Sequence, residues 1–140
     1  MIAASFGHVS IIKKLVKYSE ENAETSDAKN IIAKKIGLHL ADEGGFTALH
    51  YAVFYGHHPT IEYLLQLGSD PNVPDIEGMT PTLMACVDQF QEESLPALIK
   101  AGGSLYHCNH DGQNGFDIAK RKSLLSFQTH KPEGTLYGSF

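Results

Sequence analysis

Two segments of this chain repeat one another. Residues 47–52 (TALHYA) and residues 80–85 (TPTLMA) share a pattern, and each follows a glycine, Gly45 or Gly78, by two positions. Self-similarity with a fixed period of roughly 20–50 residues is typical of chains that stack copies of one supersecondary unit, and the interval from Thr47 to Thr80 falls within that range. The spacing therefore predicts a repeat protein in which each unit packs mainly against its sequence neighbours.

The segment 42–73 resembles the consensus of the ankyrin repeat family, whose period is about 33 residues. The matching positions are Asp42, Gly45, Thr47, Leu49, His50, Ala52, Gly56, His57, Leu64, Leu65, Gly68, Asp70 and Asn72. The resemblance implies an all-α repeat fold, an ankyrin solenoid of stacked helix-turn-helix units joined by hairpin turns. It also implies that the chain binds partners on the concave face and at the hairpin tips.

The period divides the chain into about four repeats with irregular ends. Repeat four is offset by one position more than the regular period, because Gly68 maps to Gly102 and Gly78 to Gly112, so one extra residue is assigned to the turn within repeat three. The predicted domain spans 1–127 and is followed by a disordered tail at 128–140. Within it we expect a truncated first repeat at 1–18, an insertion at 19–41, repeat two at 42–74, repeat three at 75–108 and a capping repeat at 109–127. Residues 123–127 are expected to form a separate last helix.

The first repeat lacks half of its unit, since Met1 stands where the motif histidine belongs. A solenoid normally closes with a complete polar capping repeat, so the chain is expected to be a fragment of a longer repeat protein. The alternative is that Met1 is a true start and a frayed helix suffices as a cap. The insertion, which makes the interval from Val16 to Thr47 twice as long as that from Leu65 to Thr80, is either an extended second helix or an additional one.

Several motif positions have structural roles. Gly45 and Gly78 provide backbone freedom at the hairpin turns, and Thr47 and Thr80 are expected to cap the inner helices. The resemblance implies that His50 links its turn to the neighbouring repeat by hydrogen bonds. We therefore interpret His50 as a structural residue and not as a catalytic base.

The remaining inner-helix positions are the candidate binding surface. The first, fourth and fifth residues after the motif histidine are expected to face the concave side. These residues are Tyr51, Phe54 and Tyr55 in repeat two, Met84, Val87 and Asp88 in repeat three, and Ile118, Arg121 and Lys122 in repeat four. Aromatic side chains contribute much of the binding energy at interfaces. The alternative for Phe54 is that it packs against a hairpin or the insertion.

Charge narrows the choice of partner. Between Lys35 and Lys100 the sequence has no lysine or arginine but nine acidic residues. Four of them are assigned to the hairpin tips beside the groove, namely Asp42, Glu43, Asp75 and Glu77. Nucleic acid is disfavoured, because phosphates need a basic surface. The expected ligand is a protein or peptide with apolar anchors and flanking lysine or arginine.

Two other functions can be weighed on sequence. We do not expect an enzyme, since no phosphate loop, nucleophile elbow or carboxylate pair is present, and no cofactor is implied. A metal site at His107, Cys108 and His110 is disfavoured by its ligand spacing. The resemblance also implies that Asn72 could be the substrate of an asparaginyl hydroxylase, although the same asparagine belongs to the structural consensus.

The sequence also carries expectations about location and assembly. No apolar run approaches the roughly 18 residues of a membrane span, and no secretory leader is recognisable at the start of the chain. We therefore expect an intracellular protein, in the cytoplasm or nucleus. We expect it to be a monomer.

Overall fold

The computed structural model describes Lys13, Lys14 and Lys17, residues 37–87 and residues 92–129, the last six of them and residue 92 by backbone only. The expectations for most of the first repeat, for residues 19–36 of the insertion, for Asp88 and for the tail from residue 130 lie outside these residues. The described part contains the whole of repeat two and most of repeats three and four.

Every regular element among the described residues is helical. The elements are α1 (Ala48–Phe54), α2 (His58–Gln66), α3 (Pro81–Met84), a 3₁₀ turn (Glu92–Ser94), α4 (Leu95–Lys100) and α5 (Gly115–Thr129). Inner helix α1 packs on α3 and α3 packs on α5, while outer helix α2 packs on α4. The all-α solenoid of stacked helix-turn-helix units that the resemblance implied is confirmed.

The inner helices begin where the motif places a capping side chain. The Thr47 hydroxyl accepts the N–H of His50, and His50 Nδ1 accepts the N–H of Thr47, which together make a capping box. Thr80 caps α3 in the same way through the N–H of Leu83. Each cap satisfies helix N–H groups that have no partner within the helix.

The core is continuous from repeat two to repeat four. A first cluster gathers around Leu49, Ile61, Leu64 and Leu98, whose exposed fractions are 2% or less. A second cluster packs Leu83, Cys86 and Ile118 between the last two inner helices. Leu98 is the equivalent of Leu64 in the next repeat once the extra residue of repeat three is counted, and both are buried, so that residue leaves the core register intact.

The three described hairpin turns share one internal arrangement. Asp42 Oδ1 accepts the N–H groups of residues 44 and 46, at 2.9 Å each. Asp75 Oδ1 accepts from residues 77 and 79 at 2.8 and 2.9 Å, and Asn109 Oδ1 from residues 111 and 113 at 3.1 and 2.9 Å. A short side chain that accepts from its own backbone fixes each turn without help from the rest of the fold.

Adjacent turns then join through their backbones. The N–H of Ile76 donates to the Gly44 carbonyl at 3.1 Å, and the N–H of His110 donates to the Glu77 carbonyl at 2.9 Å. The two acceptors are one regular period apart and the two donors one position more, as the sequence offsets require. Each turn is thereby aligned on its neighbour.

His50 makes a second link between repeats. Its Nδ1 accepts from Thr47, so the ring proton lies on Nε2, which donates to the Met79 carbonyl at 3.1 Å. The ring is fully buried and stacks on Phe46. The structural role expected for His50 is confirmed, because both ring nitrogens are used and none is left for chemistry.

Asn72 makes a third link. Its amide Nδ2 donates to the Gly102 carbonyl at 2.9 Å, and its Oδ1 accepts the Ser104 N–H at 2.8 Å. The equivalent residue of the next repeat is Tyr106, which has no amide and is 79% exposed. The Asn72 link therefore joins repeat two to repeat three, and Tyr106 cannot make the same link from repeat three to repeat four.

One expectation about the helices is wrong. Residues 123–127 do not form a separate short helix but continue α5, which runs from Gly115 to Thr129 without a break. Asn114 starts this helix by accepting the N–H groups of Phe116 and Asp117. No glycine or proline lies between Gly115 and Thr129, so the strongest helix-breaking residues are absent from this stretch. The other boundaries of the repeats stay predictions.

The close approach of adjacent turns can be tested at two glycines with nearly the same backbone. Gly78 has φ 78° and an added Cβ would lie 2.9 Å from the backbone nitrogen of His110, whereas Gly112 has φ 74° and open space. We expect Gly112→Ala to lower the free energy of unfolding by about 1 kcal/mol through backbone strain alone. Gly78→Ala should cost about 3 kcal/mol, because the neighbouring turn must also move. Urea unfolding of both variants measures the difference, and equal losses would contradict a tight contact between the turns.

Burial of His50 predicts a pH dependence of stability. Burial, the largest effect, lowers the pKa of His50 below its usual value of 6.5. The folded protein therefore keeps the ring neutral while the unfolded chain takes up a proton, so stability is complete above about pH 6.5 and is lost as the pH falls below it. Thermal melts between about pH 8 and pH 5.5 should have a steeper pH slope in the wild type than in His50→Gln, which cannot titrate. Parallel slopes would show that other groups carry the pH dependence.

Candidate functional site

The inner-helix candidates separate into two rows. The first row is Tyr51, Met84 and Ile118, and the second is Phe54, Val87 and Arg121; successive members of each row are one repeat apart. All three members of the second row are exposed, whereas Met84 and Ile118 of the first are at most 9% exposed. We call the second row the exposed row.

The first row belongs to the scaffold, so the expectation that Met84 is available to a partner is wrong. Met84 is 7% exposed and packs in the first core cluster with Leu49 and Leu98. Tyr51 is half-buried, with its ring edge-on to Phe46 at 5.4 Å between centroids. Inner helices approach so closely that the first position after the motif histidine faces the next helix.

Phe54 and Tyr55 form an exposed aromatic pair at the end of α1. Phe54 is 53% and Tyr55 54% exposed, and their rings meet edge to face with centroids 5.1 Å apart. His57 lies on the other side of Tyr55, with ring centroids 6.2 Å apart. Neighbouring rings hold one another in place, so the pair presents a preformed apolar surface to solvent.

Two of the four acidic residues expected at the tips serve the turns. Asp75 is only 9% exposed and is occupied by its own turn, so its assignment to the groove surface is wrong. Asp42 is half-buried and also accepts the phenol O–H of Tyr51, and this bond is the main reason that the pKa of Asp42 is lowered and that of Tyr51 raised. Glu43 and Glu77 are exposed, as expected.

Two adjoining clefts lie between repeats three and four. The first, of about 280 Å³, has Met79, Val87 and Ile118 among its lining together with Arg121 and Lys122. The second, of about 350 Å³, is lined by Ile76, Glu77, Met79, Asn109, His110 and Asp111. Met79 and Asn109 belong to both, and Asn109 Nδ2 lies 3.5 Å from Met79 Sδ. The clefts therefore share one wall, with basic side chains on one side and acidic ones on the other.

His107 and Cys108 precede the last described hairpin turn, and His110 lies within it. Cys108 and His110 are exposed and His107 is half-buried. Across residues 37–87 and 92–129, no three side chains of the His, Cys, Asp and Glu types come close enough together to hold a metal ion. The backbone of His110 is used by the turn contact with Glu77.

Two features of the surface were not expected from the sequence. His58 joins the outer helices, with Nδ1 2.8 Å from the Ser94 hydroxyl and Nε2 3.1 Å from Glu93 Oε2. Tyr106 and Phe116 form a second exposed aromatic pair, with ring centroids 5.5 Å apart and exposures of 79% and 53%. The contacts of His58 and the pairing of Tyr106 with Phe116 each join residues from different repeats, and the repeat motif does not predict either of them.

Comparison with known proteins agrees with the geometry. A family model described as ankyrin repeats in three copies matches residues 1–75, which is more than half of the chain. In the part of the chain that the structure describes, no helix combines the length and apolar character needed to cross a bilayer. Ankyrin repeats generally mediate binding between proteins.

Relatives with this repeat are diverse. The chain is 39% identical over 119 residues to an ankyrin repeat-containing protein of Schizosaccharomyces pombe. The aligned region covers 77% of this chain and 57% of that protein. It is 28% identical to a putative palmitoyltransferase of Danio rerio, over 85% of this chain and 15% of that protein. It is 31% identical to the protein phosphatase 1 regulatory subunit 12A of Mus musculus, over 72% of this chain and 10% of that protein.

The chain thus spans little more than half of the Schizosaccharomyces pombe protein and a small part of the other two. The palmitoyltransferase similarity lies in the ankyrin repeats, which are generally non-catalytic. The repeat period, the stacked hairpin turns, the His50 link and the family match agree on one conclusion: this chain belongs to the ankyrin repeat family.

Proposed function

We propose that this chain is a non-catalytic module that binds a protein or peptide along its exposed row. The observation that carries the proposal is the pair Phe54 and Tyr55, two rings more than half exposed at one point of the inner-helix surface. Covering what remains exposed of each ring would contribute about 1 kcal/mol. The rings hold one another in place, so a ligand orders little on binding.

Val87 extends the apolar surface toward repeat three. It is 52% exposed and lies at the position equivalent to Phe54, one repeat later. A ligand that follows the row from Phe54 to Val87 reaches the cleft lined by Val87 and Ile118. An extended segment with two apolar anchors fits this arrangement.

The hairpin tips add charge to this surface. Glu43 and Glu77 are exposed on successive hairpin tips, while Asp42 and Asp75 are occupied within their turns. Basic residues that flank the apolar anchors would meet these two glutamates. The same acidic tips oppose a nucleic acid, since phosphates would be repelled there.

Asn72 hydroxylation is the alternative that the sequence raised, and no observation favours it over binding. Both polar groups of the Asn72 amide already join repeat two to repeat three. Intact mass of the protein from its native cells would test it, because one added oxygen on the Asn72 peptide is the expected mark of the modification.

The aromatic pair can be tested with a matched pair elsewhere on the surface. We expect the double variant Phe54→Ala, Tyr55→Ala to bind a specific partner with about thirtyfold lower affinity, as expected from the loss of a central aromatic contact. Tyr106→Ala with Phe116→Ala removes a second exposed aromatic pair, of 79% and 53% exposure, and should leave that binding unchanged. Quantitative affinity capture from cell extract, followed by titration of the recovered partner, measures both. Thermal melts confirm that the variants are folded.

The comparison has two outcomes against the proposal. A partner that binds the Phe54 and Tyr55 variant as well as the wild type would exclude this surface. Equal loss of affinity in the Phe54 and Tyr55 variant and in the Tyr106 and Phe116 variant would indicate a general effect of removing apolar surface and not a specific site.

A further inference from the structure

The clefts between repeats three and four carry opposite charges a short distance apart. The first holds Arg121 and Lys122, and the second holds Glu77 and Asp111. Their common wall, made by Met79 and Asn109, is fixed by the hydrogen bonds of the last hairpin turn. The sequence alone favoured a ligand with basic flanks only, because the middle of the chain is acidic and has no lysine or arginine.

The apolar part of this surface is in the first cleft. Val87 is 52% exposed at its rim, and Ile118, Met79 and Val87 line it. A volume of about 280 Å³ accommodates a single large apolar side chain with space around it. Arg121 is the exposed-row member of repeat four, so a ligand that follows the row beyond Val87 meets a positive charge next.

We infer that the ligand segment held here is dipolar: an apolar side chain enters the first cleft, an acidic side chain lies toward Arg121 and Lys122, and a basic one toward Glu77 and Asp111. This inference rests on the proposed function and specifies the partner for one part of the same surface. A ligand whose charges all have the same sign would place like charges together on one side of the shared wall. A dipolar ligand avoids that repulsion. The order of charges also fixes the direction in which the segment runs.

The experiment uses a displayed library of random twelve-residue peptides, selected on the whole 140-residue chain. Enriched peptides should combine an apolar residue with an acidic residue on one side and a basic residue on the other. One such peptide, synthesised with a fluorescent label, is then titrated by anisotropy. Its affinity should fall as salt is raised, since charge pairs at a rim are screened.

Charge reversal with matched controls locates the two ends of the peptide. Arg121→Glu should lower the affinity for the peptide about three- to tenfold. Lys120→Glu, an equal charge reversal on an exposed neighbour outside the cleft, should leave the affinity unchanged. Glu77→Lys should weaken binding similarly, whereas Glu62→Lys, an equal reversal at an exposed position of the outer helix α2, should not. A peptide whose acidic residue is replaced by arginine should recover affinity for Arg121→Glu.

The outcomes separate this inference from the proposed function. Peptides that depend on Phe54 and Tyr55 but respond alike to Arg121→Glu and Lys120→Glu overturn the inference and leave the proposed function standing. Peptides with both charges that depend on Arg121 and Glu77 but not on the aromatic pair support the inference and remove that pair from the function. An enriched motif without acidic residues, or no enrichment at all, overturns the inference.

Discussion

The architecture depends on the direct contact between backbones of adjacent hairpin turns. The Ile76 N–H donates to the Gly44 carbonyl, and the His110 N–H donates to the Glu77 carbonyl, so turns one repeat apart are held by hydrogen bonds between main-chain groups. Side-chain identity matters inside each turn, where Asp42, Asp75 and Asn109 accept the same pair of N–H groups. The alignment of the turns fixes how the helices that follow them are aligned between repeats. This alignment in turn sets the positions of the exposed row.

This constraint explains which parts of the molecule could be predicted from sequence. The repeat pattern and the helix starts at Thr47 and Thr80 depend on local or recurring residues, and the role of His50 was implied by the family resemblance; all three are confirmed. The candidate site was harder to predict, because the exposure of an inner-helix side chain depends on how closely adjacent inner helices approach one another. Met84 differs from Val87 by only three positions, yet one is 7% and the other 52% exposed.

The acidic residues illustrate the same limit. A count of charges treats Asp75 and Glu77 alike, but the turn occupies Asp75 and leaves Glu77 at the surface. The signal was present in the sequence, since Asp42 and Asp75 both stand three positions before a turn glycine, where a short acceptor side chain is favoured. The two adjoining clefts had no such signal, because Glu77 and Arg121 come from different repeats.

The Asn72 amide has a consequence for how the stack comes apart. Its donor and acceptor are both satisfied only when residues 102–104 are in place. A molecule that kept repeat two folded and lost repeat three would leave this half-buried amide without those partners, and would also open the first core cluster, to which Leu98 belongs. Partly unfolded forms that end at this junction are therefore less stable. Repeats two and three should exchange their protected amide hydrogens together, as one cooperative unit.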